Sequence, residues 1–451
     1  MAPGAGFIGL DRRCSGYRLK EILVGARVRA AVACASALAL TTGLAACGSG
    51  SSGSGGGGSE VTIWHGYTDA EATSIRKLGD EWNVQHPDQK VDLVFDGGSD
   101  NVLQKTIAGF TAGNYPDVAY EFGSSLAPLS KQPKLVDLTE KVKDPSVNWD
   151  DFFPAVKQAA TVDGKVVAMP ALVDNLALVY NKKLFKAAGI APPTADWTWQ
   201  DFRNAAKKLT DPGKKQFGWA YVNDGTEDTV WRYLAMLWQA GGDLLNSDNT
   251  KPAFDSPAGL AALQQLRDMA VTDKSVYLDS GNQNYSNLFA GGRIGMLWTG
   301  PWDLGSFDQV DYGVAELPGY NGNHETIAGP DMYVLFNHSD TKSDNAFKFL
   351  TWLTSAKVHL QFAIDTGDLP LRQSETELPD YSKVYLKEHP NSKVFTDNLN
   401  NVKHTRPNIA SYGEVSSAIG EMVQSVLLGQ AEPQAALDAA RDQVTGVLAG
   451  S

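Results

Sequence analysis

The sequence predicts an α/β fold. Short strand-like runs alternate with helically spaced apolar residues from Val61 to Tyr120, and helical patterns dominate after Tyr180. In a chain of 451 residues, 43% of them hydrophobic, these patterns can bury sizeable cores, and the prior is roughly three domain-sized units.

The elements follow in order. Val61-Thr62-Ile63-Trp64 is a strand; Ile75, Leu78 and Trp82 recur at helical spacing until His86-Pro87 stops the helix; Val91 to Phe95 is a second strand. A helix around Leu103 to Thr111 ends at Gly113-Asn114, and Pro116-Asp117-Val118-Ala119-Tyr120 is a third strand. Alternation of this kind implies a largely parallel sheet with helices on both faces, whose ligands sit outside the carboxyl ends of the strands, so the loops at 65–69, 96–100 and 121–125 form a candidate rim. After Met169-Pro170 and the strand Leu176 to Tyr180, helices are read near 199–209, 229–240, 257–270, 343–354, 411–428 and 432–449.

The start of the chain has a different character. Arg12, Arg13, Arg18, Lys20, Arg27 and Arg29 precede the uncharged apolar run Ala30 to Leu44, the pattern of a secretory signal over residues 1–46. Leu44-Ala45-Ala46-Cys47 resembles a bacterial lipobox, which implies a lipid on Cys47. Residues 47–59 then read as the lipidated Cys and a Gly/Ser tether. Cys14 and Cys34 lie in the signal, so the mature chain has one Cys, and neither an intrachain disulfide nor a thiolate metal site is expected. No later run reaches the ~20 apolar residues of a membrane helix, so membrane attachment is expected through the lipid only.

Charge and motifs exclude several function classes. The 39 Lys and Arg face 52 Asp and Glu, a net charge of −13; removing residues 1–46 takes away six basic and two acidic side chains and leaves −17, which repels phosphate backbones and makes nucleic acid an unexpected partner. The seven His (65, 86, 324, 338, 359, 389, 404) are scattered, and there is no G-x-S-x-G elbow, Walker loop or dinucleotide fingerprint, so no metal or cofactor is expected. A pair of carboxylates is all a secreted glycoside hydrolase needs, which keeps one enzyme class as the rival.

Several strings resemble the sugar-binding cluster of bacterial ABC-importer extracellular solute-binding proteins, the broad family of maltose-binding protein. They are Met169 to Lys182, Trp238-Gln239-Ala240-Gly241-Gly242-Asp243, Phe289 to Met296, Gly300-Pro301-Trp302, Thr366 to Arg372 and Thr405-Arg406-Pro407, in family order between residues 60 and 449. The resemblance implies a two-lobed periplasmic-binding-protein-like fold with an interlobe hinge and ligand cleft. Crossings are expected near 170–174, 326–330 and 367–373, with 60–171 plus 328–370 as lobe 1 and 172–327 plus 371–451 as lobe 2. It also implies a monomeric, non-enzymatic lipoprotein outside the cytoplasm that captures a small-molecule carbohydrate, an oligosaccharide, and delivers it to the transmembrane permease subunits of an ABC importer.

A sugar presents apolar C–H faces and a rim of hydroxyls, so its site needs aromatic platforms and polar groups that donate and accept. Trp302 matches the family's stacking Trp, and Trp219, Trp298 and Tyr412 are further platform candidates; Trp82, Trp238 and Trp352 lie on apolar helical stretches and read as core. Polar candidates are His65, Tyr67 and Asp69 after the first strand, Ser99 after the second, Glu121 and Ser124 after the third, Asp174 and Asn175 at the first crossing, Asn223 and Asp224 after Trp219, and Asp331 after Gly329. An Asp or Asn beside Gly also serves as a plain turn former. Arg372 and Arg406 suit vicinal hydroxyls, carboxylate or phosphate equally, or structural ion pairs. Tyr120-Glu121-Phe122-Gly123-Ser124-Ser125 looks like the same loop in glycerol-3-phosphate and glycerophosphodiester-binding members, which supplies the alternative ligand class.

Overall fold

The computed structural model describes residues 59–97, 99–281 and 284–450, with backbone only for Asp69, Ser99, Asp100 and Asn101; the signal, the lipobox at Cys47 and all but the end of the tether lie outside the described residues. The chain begins β1 (Val61–His65), α1 (Asp69–Gln85), β2 (Val91–Phe95), α2 (Ser99–Ala112), β3 (Val118–Phe122). Ile75, Leu78 and Trp82 are the buried stripe of α1, and the Asn83 side chain bonds both Val91 N and Val91 O, tying the end of α1 to the start of β2. The third strand starts two residues later than the sequence suggests. Pro116 has no N–H to give, and Asp117 spends its carboxylate on Thr62 N and Lys342 Nζ, both at 2.9 Å.

The chain continues through β4 (Ala168–Leu172), β5 (Ala177–Asn181), α3 (Trp199–Leu209), β6 (Phe217–Val222), α4 (Glu227–Gln239), α5 (Pro257–Arg267), β7 (Val276–Asp279), β8 (Ile294–Thr299), β9 (Tyr312–Ala315), β10 (Asp331–Leu335), α6 (Asp340–Leu353), α7 (Ala356–Thr366), α8 (Tyr412–Leu427) and α9 (Pro433–Ala449). Thr198 and Asp201 form a reciprocal cap on α3, and Ser256 and Ser339 cap α5 and α6, so these helix starts are fixed locally.

Two five-stranded sheets result, ordered β2-β1-β3-β10-β4 and β9-β5-β8-β6-β7. Each is mixed, which corrects the expectation of a largely parallel sheet. β1 runs parallel to β2 and β3, but β10 is antiparallel to β3 and β4; β6 runs parallel to β7 and β8, but β5 is antiparallel to β8 and β9. The reason is connectivity: β10 and β5 are the strands that enter each sheet directly from an interlobe crossing, so they start at the edge where the parallel strands end. Asp331 pairs with Phe122 and with Leu172, and Ala177 pairs with Thr299. One rim therefore gathers His65, Phe95, Phe122, Leu172 and Asp331, and the facing rim gathers Val222, Asp279, Thr299 and Ala177.

Three chain segments join the lobes. Leu176 N donates to Ile327 O, Thr326 Oγ1 donates to Leu176 O, and Gly329 N donates to Asp174 O, binding the first crossing to the second. The third crossing comes later than 367–373. Arg372 is buried in the first lobe, donating to the carbonyls of Val147, Asn148 and Thr354 with its guanidinium 3.7 Å from the Phe152 ring, while Glu375 accepts from Leu371 N and Arg372 N and bonds His359. Tyr381 and Tyr385 then pack on Leu360 and Ala363 of α7. The chain reaches the second lobe from about Asn391, which bonds Tyr312; Asn398 then donates its amide to Asn175 Oδ1 and Leu176 O, and His404 bonds Glu325 at 2.6 Å. Residues 371–388 thus belong with the first lobe, not the second.

Candidate functional site

The floor of the cleft is built where crossings meet the first rim. Tyr120 Oη donates to Asp331 Oδ2 at 2.5 Å, its ring lies 4.5 Å from that of Tyr67, and the Tyr67 and Tyr333 hydroxyls share a 2.8 Å hydrogen bond. Gly329 N also reaches Asp174 Oδ1 at 3.1 Å. A Cβ on Gly329 would overlap the Trp231 ring and the Asp174 carboxyl, so glycine is required for backbone, indole and carboxyl to meet. On the other side Glu227 opens α4 and Trp231 follows one turn later. The Arg406 guanidinium sits 4.6 Å over the Trp231 ring and donates to Glu227 Oε1 at 3.1 Å; Glu227 also accepts from Tyr412 Oη at 2.7 Å and from Ser416 Oγ.

Carboxyls dominate the electrostatics. Burial, then the Asp331 charge, pushes Asp174 up, with Arg406 opposing; burial raises Asp331; burial, then Asp368, Asp331 and Asp174, raises Glu71 of α1. Burial also raises Asp368, whose Oδ2 is enclosed without a partner. Carboxyls that hold a proton donate as well as accept, which suits a ligand made of hydroxyls. Next to Arg406 a cavity of about 30 Å³ is lined by Gly123, Ser124, Pro330, Thr405, Arg406 and Asn408, with both polar side-chain atoms of Asn408 unpaired.

The structure brings Asp174, Asp331, Arg406 and Tyr412 together at this floor, places Ser124 at its cavity, and puts Tyr67 beneath it. His65 ends β1 at the rim, buried with Nδ1 unpaired; burial, then Arg76, lowers it to about 4, so the ring is neutral. Asp69 and Ser99 open α1 and α2, and their side chains lie outside the described residues. Glu121 points to the opposite sheet face from Tyr120, toward Thr106 of α2; both its oxygens are unpaired and burial raises it to about 8.

Several candidates are corrected. Trp219 and Trp298 are fully buried, 5.5 Å from each other and 5.1 and 5.5 Å from Phe202, and no ring face is left for a ligand because both faces of their sheet are covered. Asn175 lies at the first crossing, its side-chain amide spent on Phe395 O and Asn398. Asp224 is a turn former, accepting from Thr226 N and the Thr226 and Thr229 hydroxyls. Arg372 is pinned to backbone carbonyls as described. Asn223 is buried at the second rim, with Oδ1 unpaired. Trp302 lies just past Thr299 on that rim, 43% exposed, its ring folded against Gly300 where a Cβ would collide with it. Sequence reasoning missed Glu71, Glu227, Trp231 and Asp368; the starts of α1 and α4 facing a rim would have flagged the first three.

Residues 66–359, well over half of the chain, match the family model for bacterial extracellular solute-binding proteins. The chain belongs to that family. Among the relatives of this solute-binding protein is the sn-glycerol-3-phosphate-binding periplasmic protein UgpB of Pectobacterium atrosepticum, 25% identical over 413 residues that cover 86% of this chain and 91% of the relative. Among solved structures, the cyclic alpha-maltosyl-1,6-maltose binding protein of Arthrobacter globiformis is 27% identical with a TM-score of 0.76, covering 87% of this chain and 99% of that one. UgpB of Mycobacterium tuberculosis, solved in complex with glycerophosphocholine, has a TM-score of 0.78 at 19% identity over 87% of this chain and 98% of its own, a likeness of fold alone. The solute-binding protein has the two-lobed architecture of these relatives.

Proposed function

We propose that this solute-binding protein captures a carbohydrate, an oligosaccharide, in the interlobe cleft and delivers it unchanged to the permease of an ABC importer. The observation that carries this reading is the makeup of the floor: Glu71, Asp174, Asp331 and Asp368 are held with raised proton affinity, and Arg406, which faces Asp174 and Asp331, is already paired with Glu227. Such a floor suits a neutral polyhydroxyl ligand and opposes an anion. Trp302 on the second rim supplies the exposed aromatic face. Bound sugar stabilises the closed state through contacts with both lobes, and the three crossings are the hinge. The molecule works as a monomer outside the cytoplasm, held to the membrane by lipid on Cys47.

A glycerophosphodiester is the second reading, favoured by one feature: Ser124 and Arg406 line the same cavity, as a phosphate would use them. A thermal-shift screen of mono- and oligosaccharides against glycerol-3-phosphate and glycerophosphodiesters decides, since a ligand at 100 times its Kd adds about 2.7 kcal/mol. A shift with the phosphodiesters and none with the sugars rejects the carbohydrate reading. Recovery of intact sugar after incubation separates binding from hydrolysis, and loss of the membrane-bound fraction in Cys47→Ala tests the anchor.

A further inference from the structure

Two rims carry one exposed aromatic each. Among the described residues the exposed large apolar side chains are Val84 and Ile107 on helices, Leu428 just past one, Phe95, which ends β2 on the first rim, and Trp302, which follows β8 on the second. Phe95 is 55% exposed at the last position of an edge strand, although the chain buries most of its other phenylalanines. It pairs in register with His65, their rings 6.1 Å apart, and His65 is 4% exposed with Nδ1 lacking any hydrogen-bond partner. An apolar ring left open beside a buried, neutral imidazole offers one sugar ring a platform for its C–H face on Phe95 with a polar edge next to it.

Position in the sheet says which ring of the ligand this is. The strand order runs β2-β1-β3-β10, so Phe95 stands three strand spacings from Asp331 at the floor, roughly 14 Å at ~4.8 Å per spacing. A single monosaccharide cannot touch both. We propose that Phe95 and His65 form a distal subsite on the first rim that holds the outer ring of an oligosaccharide whose inner ring occupies the Asp174–Asp331–Arg406 floor. The subsite rests on the carbohydrate reading and makes the cleft measure chain length. The neutral state of His65 across the physiological range suits a hydroxyl partner rather than a carboxylate or phosphate.

The test is calorimetric titration of the wild-type protein, Phe95→Ala, Phe95→Tyr and His65→Ala with a linear α-glucan series from one to six rings, beside apo melting curves. The expected result is that wild-type affinity rises with length up to three or more rings, that Phe95→Ala and His65→Ala lose about tenfold or more for the longer sugars but less than about twofold for the monosaccharide, and that Phe95→Tyr retains wild-type affinity. Apo melting of Phe95→Ala stays within about 1 °C of wild type, since an exposed side chain is removed. Equal losses at every length, or none, overturn the subsite. A wild-type protein that binds the monosaccharide as tightly as the longer sugars overturns the subsite while leaving the carbohydrate reading intact. A wild-type protein that binds no sugar but does bind glycerophosphodiesters overturns both.

Discussion

Beneath its cleft edge the first lobe stores tyrosines and carboxyls, with Tyr67, Tyr120, Tyr333, Glu121 and Asp331 withdrawn from solvent and Glu71 half-buried, whereas the second lobe stores indoles, with Trp199, Trp219, Trp231, Trp238 and Trp298 buried around β6, β8 and α4. Seven of the 11 tryptophans fall in the second lobe, yet only Trp302 among them is strongly exposed. The contrast separates two jobs. A tryptophan in the second lobe mostly builds the scaffold, and most of the carboxyls that can meet hydroxyls come from the first lobe and the crossings, with Arg406 and Trp302 added from the second.

Mutation can break or sharpen this division, starting with the largest effect. Trp298→Ala removes a fully buried indole from the second core and should cost about 3–5 kcal/mol of stability, seen as a lower urea midpoint, with ligand affinity of the folded fraction little changed. Trp302→Ala should do the reverse: about 2–4 kcal/mol of binding, a fall of roughly 30-fold or more by calorimetry, with melting close to wild type. A Trp302→Ala protein that melts far lower but binds normally would place Trp302 with the scaffold.

The titration of the first lobe offers a third contrast. Because burial raises Glu121 from 4.5 to about 8, the folded protein holds its proton more tightly than the unfolded chain, so stability falls as pH climbs through that window. Glu121→Gln keeps the shape and removes the group that titrates; it should flatten the pH dependence of melting between pH 5 and 8 and gain about 1–3 kcal/mol at pH 8. An unchanged slope would assign the pH dependence to other groups. The smallest effect belongs to the hinge. Glu325 raises His404, so the pair stabilises the fold below the ordinary His range near 6.5 and fades as pH rises through the higher folded value. His404 is partly exposed, so His404→Gln should cost less than about 1 kcal/mol at pH 6 and less again at pH 8.5.

Elements with strong local signals were legible in the sequence: β2, α3 and α9 start and end within a residue of the pattern that predicts them, since buried stripes, the Thr198–Asp201 cap and Pro433 are local. Helix α7 was missed because only Thr354 and Ser355 separate it from α6, too little interruption to announce a new element. Strand direction is set by where the chain enters a sheet, so the antiparallel β5 and β10 left no local mark. The floor of the site was half legible. Asp174 and Arg406 stand in recognisable strings and Asp331 follows the crossing at Gly329, but Glu71 and Glu227 are ordinary acids of an acidic chain, and Asp368, although inside the string Thr366 to Arg372, has no mark of its own as a site residue until six distant segments converge. In sequence Trp302 matches the family's stacking position and Trp219 is a further platform candidate; burial of both faces of β6 takes Trp219 out of that role.

The return of the chain at β10 also sets the order in which the molecule can be assembled. Tyr120 and Asp331, which join β3 to β10, are 211 residues apart, and β4 can pair only with β10. The first sheet therefore stays open while the whole of the second is synthesised, and its closure carries the loop entropy of that intervening stretch, which slows folding. A chain stopped at residue 330 would hold β2, β1 and β3 with the β3 edge bared in addition to that of β2, and β4 with no neighbour, a template for pairing between molecules.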